Sequence, residues 1–150
     1  MASAEEQSEE SGPGIWELSE GECLELLGTV SVGRVGVTID ALPAVLPVNF
    51  VLSDGSVFFR TVAGTKLDAA TRGAVVAFEA DEYATSEDPK GWSVLVRGVA
   101  REVTAPDELA AVRELPLESW AFDGSAEHVV RIEPTLVTGR RVVGQPFGHR

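Results

Sequence analysis

Cysteine and histidine, the residues that build most protein-bound metal cages, are nearly missing: one Cys and two His occur in 150 residues. A lone Cys23 excludes an internal disulfide and a cysteine-cage zinc site, and its neighbours Leu24, Leu26 and Leu27 mark it as a small buried hydrophobe. His128 and His149 form no H-E-x-x-H pattern, so no metal site is expected. Positive charge is scarce as well, with 12 Lys and Arg against 24 Asp and Glu and a net charge of -12. Without a basic stripe, neither a nucleic-acid backbone nor an anionic membrane surface is a fitting partner. No apolar run approaches about 18 residues, and the N-terminus lacks a cationic segment leading into an apolar one. The expectation is a cytoplasmic protein with neither a membrane span nor a secretory signal.

What is present fits one globular domain, since 44% of the residues are apolar. Eight of the acids fall in the first 25 positions, where no Lys or Arg occurs. Residues 1–14 lack periodicity and read as a disordered acidic tail, 15–143 as the folded domain, and 144–150 as a flexible C-terminal tail.

Ser19-Glu20-Gly21-Glu22 has the S-x-x-E form of a capping box and opens a short helix ending near Gly28. Alternation then takes over: Val35, Val37 and Ile39 share one face of a strand over 31–39. A second strand over 44–52 contains Pro47, which implies an edge position or a bulge. Ser53-Asp54-Gly55 is a hairpin turn, and 56–61 is the returning strand. A short helix starts at Gly64 or Thr65 and runs to about Arg72, with Leu67, Ala70 and Ala69 facing inward and Gly73 as its cap. Strands follow over 74–80 and 91–103, separated by an acidic loop at 81–90. A helix over 107–115, a connection holding Trp120, and a strand over 128–132 continuing through 135–142 complete the chain. The tally gives a mainly β (α+β) protein, a six-stranded antiparallel barrel with short flanking helices.

The stretch 47–66 concentrates the chemistry. It places an apolar strand, a turn, a strand ending in Arg60-Thr61 and the Gly64-Thr65-Lys66 helix start within twenty residues. Gly64-Thr65-Lys66 is not a P-loop, because Phe59 and Leu67 stand where that motif needs Gly and Ser or Thr. No G-x-G-x-x-G follows a strand, and no nucleophile elbow or carboxylate dyad is present, so no side chain is assigned a catalytic role. Arg60 and Lys66 fit two readings equally well on these grounds: anchors for an anion such as a phosphate, or partners for neighbouring acids. Any chemistry would be carried by a bound cofactor.

Six segments then fall into a known order: Val32-Gly33-Arg34-Val35, Pro47-Val48-Asn49-Phe50, Phe59-Arg60-Thr61 with Gly64-Thr65-Lys66-Leu67, Val76-Ala77-Phe78-Glu79-Ala80-Asp81, Gly91-Trp92-Ser93 through Gly98, and Thr138-Gly139-Arg140-Arg141. Together they resemble the small actinobacterial branch of the pyridoxamine 5'-phosphate oxidase-like flavin-binding family. The resemblance implies a split β-barrel, a homodimer, and FMN in clefts at the dimer interface serving an oxidoreductase. It implies Pro47, Val48 and Asn49 along the isoalloxazine ring, Arg60 and Thr61 at ring or phosphate, and Thr65 and Lys66 on the phosphate. Trp92 and Ser93 would reach the cofactor from the other subunit, with Arg140 near the segment that closes the site, although Trp92 fits a core or dimer-interface aromatic equally well. Arg34 would instead serve packing or a salt bridge. The tail after Val142 lacks the Arg and His clamp of true pyridoxamine phosphate oxidases, so a different small-molecule substrate is expected. The alternatives are a non-catalytic flavin- or haem-binding module and a reductase that uses a deazaflavin coenzyme.

Overall fold

The computed structural model describes residues 13–84, 89–118 and 124–144. The elements are β1 (Gly14–Glu17), α1 (Glu20–Leu27), β2 (Val32–Ile39), β3 (Leu42–Ser53), β4 (Ser56–Val62), α2 (Lys66–Ala70), β5 (Val75–Ala84), β6 (Lys90–Glu102), α3 (Pro106–Arg113) and β7 (Glu127–Val143). Every strand pairing is antiparallel. Strands follow the order β1-β7-β4-β3-β2-β5-β6, and a further pairing of β6 with β7 closes β2 to β7 into a six-stranded ring. This is the expected split barrel, with β1 added on the outside.

Local chemistry explains most boundaries. Ser19 caps α1 with its hydroxyl accepting from the Glu22 N–H at 3.2 Å, while Glu22 Oε1 accepts from the Ser19 N–H at 3.0 Å. Asp40 and Ala41 both take positive φ, 51° and 64°, so the β2–β3 hairpin turns in two residues and β3 begins at Leu42 rather than 44. The alternation in β2 buries Val35 and Val37 in the barrel core with Phe50, Phe59, Phe78 and Val96. Phe50 and Phe78 meet edge to face at 4.7 Å. Gly33 is required there, since a Cβ at that position would lie 2.3 Å from the Phe78 ring. A smaller cluster packs α3 onto the outside through Phe58, Val103, Val112 and Leu117. Glu108 of that helix accepts two hydrogen bonds from Arg101, at 3.0 and 3.1 Å, and one from Arg131 at 2.8 Å.

Several sequence expectations need correction. Gly14 belongs to β1, which pairs with Val143–Arg140 of β7. The acidic stretch from Asp81 is not a loop at its start: Asp81 to Ala84 extend β5 against Ser93 to Lys90, and Arg34 faces Glu79 and Asp81 at 3.0 and 3.4 Å. Arg34 thus has the salt-bridge role expected of it. As expected, β7 continues past Pro134 as one strand of 17 residues, with an irregularity opposite Arg97 and Gly98. Leu67 and Ala70 pack against the core as expected, whereas Ala69 is exposed and Asp68 is the buried position of α2. Residues 1–12, Glu87, Asp88, Trp120 and 145–150 lie outside the described residues, and the tail assignments fall largely among them.

Candidate functional site

The site arises where two neighbouring strands part company. β3 and β4 pair only from Phe50↔Phe59 to Ser53↔Ser56. Beyond Phe50, β3 pairs with β2 alone, with Pro47 opposite Arg34; beyond Phe59, β4 pairs with β7, with Arg60 opposite Val129. Pro47 therefore sits on a locally open edge, where its missing N–H costs no ladder bond. The gap between the diverging strands is a cleft of about 410 Å³, with α2 at one end.

Seven of the ten residues expected to bind a cofactor line this cleft: Pro47, Val48, Asn49, Arg60, Thr61, Thr65 and Lys66. Ile39, Leu46 and Leu67 add apolar wall. Ser93 and Arg140 line a separate cavity of about 460 Å³ that also includes Glu79. Trp92 is buried in the main core at 8% exposure and borders a third cavity with Tyr83. Within one chain, then, Trp92, Ser93 and Arg140 do not join the cleft.

The two cations of the cleft differ in their partners. Lys66 Nζ lies 2.5 Å from Asp40 Oδ2, and both side chains are about 70% exposed, at 73% and 71%. Arg60 Nη1 lies 3.9 Å from Glu127 Oε1, while Arg60 Nε is buried with no hydrogen-bond partner among the described residues. A buried guanidinium N–H without an acceptor costs on the order of 1–3 kcal/mol, and an anion in the cleft would remove that cost. Lys66 is thus paired with an acid, and Arg60 has a donor to spare among the described residues.

Thr65 and Thr61 are committed elsewhere. Thr65 Oγ1 accepts from the Asp68 N–H at 3.2 Å, capping α2, and donates to the Val62 carbonyl at 2.8 Å. Thr61 Oγ1 donates to Asp68 Oδ1 at 2.8 Å. Asp68, 5% exposed, also accepts from the Gly64 N–H at 3.1 Å, from Arg72 Nη2 at 3.2 Å, and from His128 Nδ1 at 2.8 Å. Burial by itself would raise the Asp68 carboxyl, but the bonds from His128, Thr61 and Gly64 outweigh it and hold the group below the usual carboxylate range. Glu102 Oε1 stands 3.1 Å from the same His128 nitrogen. The ligand atoms of Asp68, Glu102 and His128 fall within 4.8 Å of one another, yet Arg72 Nη2 already faces two of them, at 3.2 and 3.8 Å, and supplies the cation.

Sequence reasoning passed over Asp68, Glu118 and Glu127. For Asp68 a signal existed: Thr65-Lys66-Leu67-Asp68 has the T-x-x-D form of a helix start. Glu118 and Glu127 reach the cleft from distant segments, and nothing local marks them.

The closed ring of six antiparallel strands with a cleft where β3 and β4 diverge is a split barrel. A family profile described as pyridoxamine 5'-phosphate oxidase matches residues 19–141, and the chain belongs to that pyridoxamine 5'-phosphate oxidase-like family. It is 42% identical over 144 residues to the uncharacterized protein Rv0080 of Mycobacterium tuberculosis, covering 91% of each chain. Among solved structures, it is similar to the FAD binding protein of Mycobacterium smegmatis, with 41% identity, a TM-score of 0.74, and coverage of 85% of this chain and 98% of that one. A FAD and heme binding protein of the same organism shares the fold at 15% identity and a TM-score of 0.65, with 87% and 75% covered. None of the described helices is long and apolar enough to cross a membrane.

Proposed function

We propose that this chain is a flavin-binding oxidoreductase whose cofactor occupies the β3–β4 cleft. The observation that carries the reading is the buried, unpartnered Nε of Arg60 on the wall of a cleft that also gathers Pro47, Val48, Asn49 and Lys66. The donor set fits a flavin nucleotide: apolar residues and the β3 backbone for the ring, and two cations for a phosphate. Arg60 would orient the ligand through its planar fork, and Lys66 would turn from Asp40 towards the phosphate. A bound flavin supplies hydride or electron transfer, and the chain supplies binding, orientation and exclusion of water.

FMN is the cofactor the family resemblance implies. The FAD binding protein at 41% identity supports a flavin and makes FAD its direct rival. Haem has weaker support, because the haem-binding neighbour shares the fold alone. A deazaflavin coenzyme would use the same cleft.

The reading includes a homodimer acting in the cytoplasm. One outer face of the barrel carries Val45, Gly36, Ala77, Arg97 and Leu136 directly opposite one another across five strands. Val45 is 70% exposed and Leu136 46%, and the neighbouring Val75 is 77% exposed. A second copy on this face would bury that apolar surface. It would also account for Ser93 and Arg140 standing outside the cleft of their own chain.

Reduction of the flavin-loaded protein, followed by reoxidation with quinones, nitro compounds or oxygen, tests the oxidoreductase reading. Repeated reoxidation by an acceptor at a rate above that of free reduced flavin is expected. Rates no higher than free flavin with every acceptor would leave a non-catalytic binding module.

A further inference from the structure

The turn from β4 to α2 brings Lys66 to the mouth of the cleft, and a carboxylate that does not line the cleft holds that turn in place. Asp68 gathers donors from four segments: Thr61 on β4, Gly64 in the turn, Arg72 after α2, and His128 on β7. Gly64 has a φ of 82°, and Asp68 accepts its N–H directly. Thr61 and Gly64 bracket Val62 and Ala63, two of the four residues between Thr61 and the Lys66 that opens α2. Fixing both fixes the separation of Arg60 from Lys66.

From this geometry we infer that Asp68 is a positioning residue for the phosphate end of the cleft, setting the span between Arg60 and Lys66 that a phosphate-bearing ligand must bridge. The inference rests on the flavin reading above. The charge itself is not offered to the ligand, because Arg72 and His128 face it directly. An asparagine keeps the size of the side chain but presents N–H groups where one native oxygen accepts two hydrogen bonds. Its carbonyl oxygen can keep the Gly64 and Arg72 bonds, but its amide then faces Thr61 and His128, which must both turn from donor to acceptor, so the charge-assisted bonds are lost and the turn loosens.

The sign of the effect separates positioning from simple electrostatics. Removing a negative charge near a bound phosphate should tighten binding by Coulomb's law alone, whereas a loosened turn weakens it. The full chain, freed of bound ligand, is titrated with FMN and with riboflavin, which has the same ring and ribityl chain but no phosphate. Asp68→Asn is expected to raise the Kd for FMN about tenfold, the effect of losing one charge-assisted hydrogen bond, and to leave riboflavin within about twofold. Thr61→Val, which removes one neutral donor to Asp68 at the same size, should give a smaller loss of the same selectivity, about threefold, and serves if Asp68→Asn does not fold. Tighter or unchanged FMN binding in the variants overturns the inference, and so does an equal loss for FMN and riboflavin. A wild-type chain that binds neither compound refutes the flavin reading first and this inference with it.

Discussion

Arg60→Met should separate ligand binding from stability, moving them in opposite directions. Arg60 Nε is buried and unpartnered, and the nearest carboxylate oxygen across the cleft, Glu127 Oε1, is 3.9 Å from Nη1. Methionine keeps an unbranched apolar stem against the cleft wall and removes the polar head. Releasing the unsatisfied donor returns on the order of 1–3 kcal/mol to the free protein. The lost attraction to Glu127 is a long, partly solvated pair worth roughly 0–1 kcal/mol. The net change in the free protein is therefore between about zero and about 3 kcal/mol of added stability, or up to roughly ten degrees in Tm for a chain of this size.

Binding of a flavin nucleotide should fall by about 1.5–3 kcal/mol, the scale of a hydrogen bond between two charged groups, which is roughly a 10- to 150-fold rise in Kd. Urea denaturation of the ligand-free variant gives the first quantity, and flavin fluorescence titration gives the second. A variant clearly less stable than the wild type would show that the guanidinium is a structural anchor. Unchanged affinity would show that the spare donor of Arg60 serves no ligand.

Lys66 should behave differently because its charge is already engaged with Asp40. Lys66→Ala should weaken FMN by about 1.5–3 kcal/mol, whereas Asp40→Asn should tighten it by a few tenths to about 1 kcal/mol by releasing the lysine; both are read by the same titration, and weaker binding in Asp40→Asn would contradict the ion pair's role. Gly33→Ala forces a methyl group against the Phe78 ring and should cost about 1–3 kcal/mol in urea denaturation; a neutral result would mean the core yields there. The Glu79 carboxyl is pushed up to about 7 from an ordinary 4.5, first by burial and then by the neighbouring Asp81. The folded chain therefore holds a proton that the unfolded chain releases, so stability falls as pH rises from about 4.5 to about 7 and levels off above. With the side chain 34% exposed, solvent screening reduces the effect to the order of 1 kcal/mol. Glu79→Gln should flatten that slope in denaturation curves at pH 5, 6, 7 and 8, and an unaltered slope would assign it to other groups.

The strands and helices were legible because each carries a local signature. The capping box at Ser19 and Glu22, the alternation from Val35 to Ile39 and the Asp54-Gly55 turn each state their geometry within a few residues. Strand β1 was not legible, since four residues next to an acidic tail show no period, and only pairing with Arg140 to Val143 makes them a strand. The acids from Asp81 read as a loop because Arg34, 47 residues away, is what makes a strand of them tolerable. The cleft itself was half legible. Family resemblance gathered Pro47 to Asn49 with Arg60 and Lys66, but charge alone left Arg60 and Lys66 undecided. The feature added by the structure is the divergence of β3 from β4 after Phe50↔Phe59, which leaves Arg60 Nε inside the wall without an acceptor among the described residues. Nothing in the one-dimensional pattern reports that.

The central claim is that a flavin ring and its phosphate belong in this cleft. Its most direct test is the absorption spectrum of the purified full chain titrated with FMN and with FAD. Binding of one flavin per chain is predicted, with a shifted and structured band near the long-wavelength flavin maximum and marked loss of the effect in Arg60→Met. A chain that leaves both flavin spectra unchanged at saturating concentration, or one isolated with a haem Soret band in their place, would contradict the account.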